Sequence, residues 1–90
     1  MYEYEIRENL ERVLKKTFKK DHVRYEATLK KIDEIIKCSD LNHYKNLRYG
    51  MKEFKRVHVD GSYVLLFSVE KVNKKIIFED LAHHDDIYRR

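Results

Sequence analysis

Two short stretches of this chain place histidine beside residues that could help it move a proton. In the first, FKRVHV, Arg56 and His58 are two residues apart, and the stretch alternates as a β-strand does. Such residues point to the same face of a strand, so the guanidinium and the imidazole would be neighbours. An imidazole titrates near neutral pH and can act as a general acid or base. The alternative interpretation of His58 is a solvated surface histidine.

The second stretch is AHHDDIYRR, residues 82–90, which ends the chain. His84 and Tyr88 are four residues apart and would share one face of a final helical turn. Neighbouring strand residues point to opposite sides, so only one of His83 and His84 is expected to face the same side as His58. A zinc site needs three or four convergent ligands, which this spacing does not demand. No metal is therefore predicted, and His83 is expected to be structural.

A third feature is an excess of positive charge between residues 41 and 60, where five lysines and arginines stand against two acidic residues. Such a stretch could follow a phosphate backbone. The interleaved Tyr44, Tyr49 and Phe54 offer stacking surfaces for unpaired bases. A solvated charged face is the alternative interpretation. The five basic residues are Lys45, Arg48, Lys52, Lys55 and Arg56.

The elements that position these residues follow from hydrophobic periodicity. The alternation in YEYEI predicts a short strand over residues 2–6. Apolar residues at helical spacing predict helices over 8–20 and 22–37, with Asp21 as the N-cap of the second. These helices would form an antiparallel hairpin.

The second half of the chain is strand-like. Asp60-Gly61 and the region of Asn73 predict tight turns, and the strands they join would form a meander on a small antiparallel sheet. The helices would cover one face of that sheet and leave the other partly open. Alternation places Val57 and Val59 on the covered face, and Phe54, Arg56 and His58 on the open one. The predicted strands span residues 54–59, 62–69 and 75–81.

Composition limits the possible classes of protein. Ninety residues predict one domain, spanning 1–90, and a single cysteine, Cys38, excludes an intramolecular disulfide. The chain has no apolar run of membrane-spanning length, and its N-terminus is charged, so we expect a cytoplasmic protein without a membrane partner. The net charge of +4 favours polyanionic partners but does not by itself identify nucleic acid.

The order of these elements, with KNLRYGMKEFKRVHVDGSYVLLFSV at 45–69 and AHHDDIYR at 82–89, resembles the RelE/ParE toxin superfamily. Within it, the chain is most similar to the RelE and YafQ branch, which cleaves mRNA. The family pattern is a leucine, a short basic stretch, an aromatic and arginine-rich strand, and a tight turn. A Tyr-x-hydrophobic strand and a terminal His-x-x-x-aromatic follow. The resemblance covers nearly the whole chain.

The resemblance implies an α+β fold of the RelE type, with an N-terminal strand, a two-helix hairpin and a three-stranded antiparallel meander. It also implies a ribosome-dependent endoribonuclease that needs no metal or other cofactor. Its partners would be mRNA, ribosomal RNA of the ribosome, and a cognate RelB-like antitoxin that holds it inactive.

Three residues match functional positions of the YafQ-like pattern: His58 before the turn, the terminal His84, and Tyr88 four residues later. Two positions depart from it, since Lys45 replaces a histidine and Ser62 an acidic residue. Either departure could mean different proton-transfer chemistry or reduced activity.

In the RelE pattern a lysine and an arginine flank the turn. Lys55 can fill the lysine position, whereas Val64 stands in place of the arginine. Arg56 or Arg48 could supply that charge from elsewhere.

On this basis RNA would be cleaved by its own 2′-hydroxyl, with His58 and His84 as acid and base in an order left open. Arg56, with Lys45 and Lys55, would hold the phosphate in the transition state. Tyr88 would stack on a base or hydrogen-bond the phosphate. RNA-binding roles are expected for Lys45, Arg48, Lys52 and Lys55.

Two other functions remain open at this point. A ParE-like member of the same superfamily would share the fold, lack the ribonuclease residues and inhibit DNA gyrase. A small module that binds RNA or the ribosome without catalysis is the other.

Overall fold

Two helices pack on one face of a four-stranded sheet in the part of the chain that the structure describes. The structure is a computed structural model, and it describes residues 2–46 and 54–87. The strands are β1 (Glu3–Ile6), β2 (Lys55–Asp60), β3 (Tyr63–Glu70) and β4 (Lys75–His83). The helices are α1 (Glu8–Lys20), α2 (His22–Lys37) and the short α3 (His84–Ile87), with a 3₁₀ turn at Leu41–His43.

The helical hairpin has the limits that its periodicity predicts. The side chain of Asp21 accepts a hydrogen bond from the backbone N–H of Arg24 at 3.0 Å, which caps the start of α2. The backbone N–H of the same aspartate donates to Thr17 and ends α1. Leu10 of α1 and Ile35 of α2 are completely buried toward the sheet. None of the helices in the described ranges is long and apolar enough to cross a lipid bilayer.

The strand order is β1-β4-β3-β2, and β2, β3 and β4 form the predicted antiparallel meander. The expectation of an antiparallel sheet was wrong for β1, which pairs with β4 in parallel, Tyr4 opposite Ile76. β1 therefore lies at the edge of the sheet and runs in the same direction as β4. Alternation within YEYEI shows that a strand forms but contains no information on its partner.

The main core lies between the helices and the sheet, where Leu65 and Phe67 of β3 pack with Phe78 of β4. A second, smaller cluster on the opposite face contains Val64, Leu66 and Ile87, with Phe54 and Ala82 packed against it. β3 is therefore buried on both faces, as the nearly continuous apolar run SYVLLFSV predicts. The second face is less open than expected, because Ile87 of α3 covers part of it.

Ile87→Ala tests how much this small cluster contributes to stability. The side chain is 1% exposed, and we expect the free energy of unfolding to fall by about 2 kcal/mol, the lower end for such truncations, because the site borders solvent. Val72→Ala is the control, since Val72 is 91% exposed and its truncation should change stability by less than about 0.5 kcal/mol. Equal urea midpoints for the two variants would contradict this account of the cluster.

Candidate functional site

The candidate site lies on the sheet face opposite the helical hairpin, called here the open face and defined by Arg56, His58, Val64 and Leu66. Arg56 pairs with Leu66, and His58 pairs with Val64. Both partners belong to the small apolar cluster. Because paired residues on neighbouring strands lie on the same face, Arg56 and His58 share this face, as predicted.

His58 is exposed at a point where the regular pairing of β2 ends. The register between β2 and β3 shifts between His58 and Asp60, as in a β-bulge, and His58 is exposed while its strand neighbours are half-buried. Bulges re-aim side chains and are common beside functional sites. Gly61 then turns the chain with a φ of 56°.

α2 holds this turn in place. The guanidinium of Arg24 lies 3.6 Å from the centroid of the Tyr63 ring, a cation–π contact. Its Nε is 3.8 Å from the carboxylate of Asp60. The turn that follows His58 is thus tied to the helical layer.

The same turn positions His84. The backbone N–H of His84 donates to the carbonyl of Ser62 at 2.8 Å, and its Nδ1 lies 3.3 Å from the same oxygen. Its Nε2 is 3.0 Å from a carboxylate oxygen of Asp85. The site's terminal histidine is therefore fixed to the β2–β3 turn by its main chain and by its ring.

His58 and His84 lie at the same end of the sheet. Val64 on β3 is opposite His58 on one side and opposite Ala82, two residues before His84, on the other. One strand separates His58 from Ala82, so the backbones of these two residues are roughly 10 Å apart, twice the spacing of neighbouring strands. His84 follows Ala82 by two residues, at the start of α3.

The expectation that His83 and His84 diverge was wrong. Their rings are stacked, with centroids 4.8 Å apart and planes inclined by 24°. β4 ends at His83 and α3 begins at His84, so strand alternation does not apply across this pair. His83 also contacts the Tyr63 ring edge-on at 5.7 Å.

Lys45 lies along the outer edge of β2. Its carbonyl accepts a hydrogen bond from the backbone N–H of Arg56 at 2.9 Å, and Asn46 forms an isolated bridge with Lys55. Since alternate residues face opposite sides, Lys45 is on the face of Arg56. The structure thus brings these two cations together.

The structure does not bring Lys55 to the open face. Its Nζ donates to the carbonyl of Tyr44 at 3.3 Å and to the side-chain oxygen of Asn46 at 2.8 Å. Lys55 lines a surface cavity of about 540 Å³ on the other side, together with Lys71 and Lys74. The predicted site residues Arg48, Lys52 and Tyr88 lie outside the described residues.

A group of ion pairs lies at the β1–β4 side of the sheet, away from Arg56 and His58 on β2. Arg7 contacts Glu5 and Glu79 at 2.8 and 3.2 Å, and Lys75 contacts Glu5 at 2.9 Å. The hydrogen bond from Lys75, with its positive charge, lowers the pKa of Glu5, and the same bond raises the pKa of Lys75. Within residues 2–46 and 54–87, no carboxylate forms an ion pair with Lys45 or Arg56.

Burial also affects the segment that precedes β2. The Tyr44 ring is buried edge-on against Phe67, with centroids 5.5 Å apart. Burial raises the pKa of the Tyr44 phenol because the ionised form is disfavoured away from water. Tyr44 is thus a neutral anchor for the segment that contains Lys45, not the stacking surface suggested by the sequence.

Asp80 is a residue of the open face that the sequence analysis missed. It pairs with Leu66, which itself pairs with Arg56, and it is 2% exposed. One of its carboxylate oxygens accepts the backbone N–H of Leu81 at 2.8 Å. A register shift between β3 and β4 at this point places it there, and the two adjacent acidic residues within the apolar stretch KIIFEDL were the available signal.

Comparison with solved structures shows that chains of known toxin structures share this fold. The toxin–antitoxin complex RelBE2 from Mycobacterium tuberculosis contains a chain that superposes with a TM-score of 0.72 at 17% identity, over 91% of this chain and 96% of that one. YafQ from Escherichia coli superposes with a TM-score of 0.69 at 17% identity, over 98% and 99%.

A curated relative shows the family to which the chain belongs. A protein of Methanocaldococcus jannaschii named "Putative toxin RelE4" is 48% identical over 90 residues, which is 100% of this chain and 94% of the relative. No protein-family model matches the chain. The chain belongs to the RelE-like toxin superfamily.

Gly61→Ala tests the backbone conformation of the turn between His58 and Ser62. Ser62 is the residue whose carbonyl accepts the hydrogen bond from His84. An added Cβ would meet nothing within 4 Å, but the φ of 56° disfavours any ordinary side chain. We expect a loss of about 1 kcal/mol in the free energy of unfolding. Gly61→Asn should lose clearly less, because asparagine tolerates this conformation. Equal losses in urea denaturation would show that the conformation does not determine the effect.

Proposed function

We propose that this chain is the toxin of a type II toxin–antitoxin system and that it cleaves mRNA on the ribosome. The observation that carries the proposal is the combination of two histidines at one end of the sheet with two cations, Lys45 and Arg56, that form no ion pair with a carboxylate of residues 2–46 and 54–87. Cleavage of RNA at an anionic phosphodiester requires that one proton is removed from the 2′-hydroxyl and another is delivered to the leaving 5′ oxygen, and histidines and cations are the groups that serve these needs.

The proposed chemistry uses the 2′-hydroxyl of the RNA as the nucleophile. One of His58 and His84 removes the 2′ proton as the oxygen attacks the adjacent phosphorus. The other donates a proton to the 5′ oxygen as its bond to phosphorus breaks. The products are a 2′,3′-cyclic phosphate and a free 5′-hydroxyl, and each histidine ends in the protonation state with which the other began.

The cations act on the charge that develops at phosphorus. Arg56 is beside His58 on β2, and Lys45 is beside Arg56 on the adjoining segment. A guanidinium can hold two phosphate oxygens at once, and it cannot lose its proton at neutral pH. Lys55 is not included in this clamp, because its ammonium is bound on the other side of the sheet.

The remaining residues of the proposal are Tyr88, Arg48 and Lys52. Tyr88 would stack on a base or hydrogen-bond the phosphate, and the two cations would contact RNA phosphates. Ser62 and Val64 leave the turn without an acidic or an arginine side chain at those positions, so His58, His84 and Arg56 carry the proposed chemistry here.

Mapping of mRNA ends in a cell-free translation reaction tests the proposal. We expect discrete cuts within the translated frame for the wild-type chain, and their loss in His58→Ala/His84→Ala, because neither proton transfer remains. His22→Ala is the matched control, since His22 is on α2 and pairs with Glu26 at 3.3 Å. It should cleave like the wild type.

Two results would count against this assignment. Cuts at the wild-type rate in the double variant would exclude the two histidines as acid and base. Absence of cuts with the wild-type chain, on ribosomes shown to be translating, would favour gyrase inhibition or binding without catalysis.

Arg56→Ala tests the role of the phosphate clamp. We expect the cleavage rate to fall by about a hundredfold, the effect of removing one donor to a developing oxyanion. Arg12→Ala removes the same charge from α1, where Arg12 pairs with Glu8 at 3.5 Å, and should leave the rate unchanged. Single-turnover cleavage of ribosome-bound mRNA measures both. A similar fall in the two variants would indicate that net charge alone matters.

The proposed inhibitor is a cognate RelB-like antitoxin. The relative from M. tuberculosis is a toxin–antitoxin complex, and this chain exposes apolar side chains on its helical hairpin, including Phe18, Val23 and Leu29. An antitoxin that covers the helices and the basic open face would combine apolar contacts with an acidic segment. Its binding should then weaken with salt.

A further inference from the structure

Three rings beside the β2–β3 turn form a continuous column, called here the ring column and defined by Tyr63, His83 and His84. Tyr63 and His83 are direct partners across β3 and β4, and their ring planes are inclined by 83° with centroids 5.7 Å apart. The His83 ring is in turn stacked on the His84 ring at 4.8 Å. The ring column therefore ends on one of the two proposed proton-transfer groups.

Arg24 of α2 fixes the other end of the ring column. Its guanidinium lies 3.6 Å from the centroid of the Tyr63 ring, and one of its terminal nitrogens is 3.3 Å from the carboxylate of Asp21. Its Nε is 3.8 Å from the carboxylate of Asp60. A cation over the face of an aromatic ring attracts that ring, and more strongly where the pair is partly removed from water. The half-buried Tyr63 ring is thus a fixed surface against which His83 packs.

The rotation of the His83 ring is restrained by a hydrogen bond as well. Its Nδ1 accepts the backbone N–H of Asp85 at 3.2 Å, which leaves the proton of the neutral ring on Nε2. Together with the Tyr63 contact, this bond leaves the ring little freedom to turn about its χ2 angle. His83 therefore presents a fixed ring face to His84.

The polar contacts of the His84 ring restrain it less than this stack does. Its Nδ1 is 3.3 Å from the carbonyl of Ser62, longer than the usual N–H···O distance of about 2.7–3.2 Å. Its Nε2 contacts the carboxylate of Asp85, which is 62% exposed, and exposed pairs of this kind are weak. The His84 side chain is itself 52% exposed, so it remains accessible to a ligand while His83 covers one of its ring faces.

We propose that Tyr63 and His83 are positioning residues for proton transfer by His84, and that Arg24 anchors the ring column to α2. The inference rests on the proposed function, in which His84 exchanges a proton with RNA. Displacement of a reacting group by about 1 Å can lower a rate by about a hundredfold. The ring column removes this freedom before RNA binds, so its loss lowers the rate of the bound complex and leaves RNA affinity unchanged.

NMR of the chain with ¹³C-labelled histidine rings measures the orientation of His84 without RNA. We expect Tyr63→Leu to move the His84 signal, because His83 loses its support and the stack opens, whereas Tyr63→Phe should keep the signal in place. Tyr25→Leu is the matched control, since Tyr25 is also half-buried but packs against Phe18 on the helical hairpin, with centroids 5.0 Å apart. The His84 signal is identified by its absence in His84→Ala.

Single-turnover cleavage of ribosome-bound mRNA, at a series of chain concentrations, tests the catalytic consequence. We expect Tyr63→Leu and Arg24→Met to lower the maximal rate by about tenfold, with the half-saturating concentration unchanged. Tyr63→Phe should retain the rate, because it keeps the ring, and Tyr25→Leu should cleave like the wild type. Urea denaturation establishes that each variant is folded under the assay conditions.

Three results would overturn the positioning role. They are an unmoved His84 signal in Tyr63→Leu, an unchanged maximal rate in a variant whose signal moves, and an equal loss of rate in Tyr25→Leu. If the wild-type chain cleaves nothing, the proposed function fails, while the NMR signals still decide whether the ring column orients His84.

Discussion

The burial of β3 on both of its faces is the constraint on which the rest of the structure depends. Leu65 and Phe67 face the helices, and Val64 and Leu66 face the opposite side. A shift of one residue in the pairing of this strand would exchange the two sets and expose half of the apolar surface. The same register fixes the site, since it places Arg56 and His58 on the open face and brings the end of β4 to the β2–β3 turn.

Ion pairs are distributed unevenly over the part of the chain that the structure describes, and this distribution affects the charge of the open face. On the helices, some basic side chains have acidic partners three or four residues away, as in Lys31 with Glu34 and Lys37 with Asp33. Such surface pairs contribute little to stability, but they reduce the field on that side of the molecule. Lys45 and Arg56 form no ion pair with the described carboxylates, so their charges are available to an anionic ligand.

The sequence predicts the helices well because two independent signals agree there: the apolar stripe and the cap at Asp21. It also predicts the face of Arg56 and His58, because alternation in β2 is continuous up to the turn. It fails where regular repetition ends. The stacking of His83 on His84 depends on the change from strand to helix between them, and the position of Asp80 depends on a register shift. The pairing of β1 and the binding of Lys55 by Tyr44 and Asn46 depend on long-range contacts that local periodicity does not contain.

The salt dependence of binding to ribosomes that carry mRNA tests most directly whether Lys45 and Arg56 on the open face contact RNA. Two double variants with the same net charge should be compared: Lys45→Ala/Arg56→Ala, and Lys31→Ala/Lys37→Ala on α2. We predict that the first lowers the slope of log affinity against log salt by about two, roughly one for each lost phosphate contact. The second should keep the wild-type slope. Equal slopes for the two variants would contradict the assignment of RNA binding to the open face.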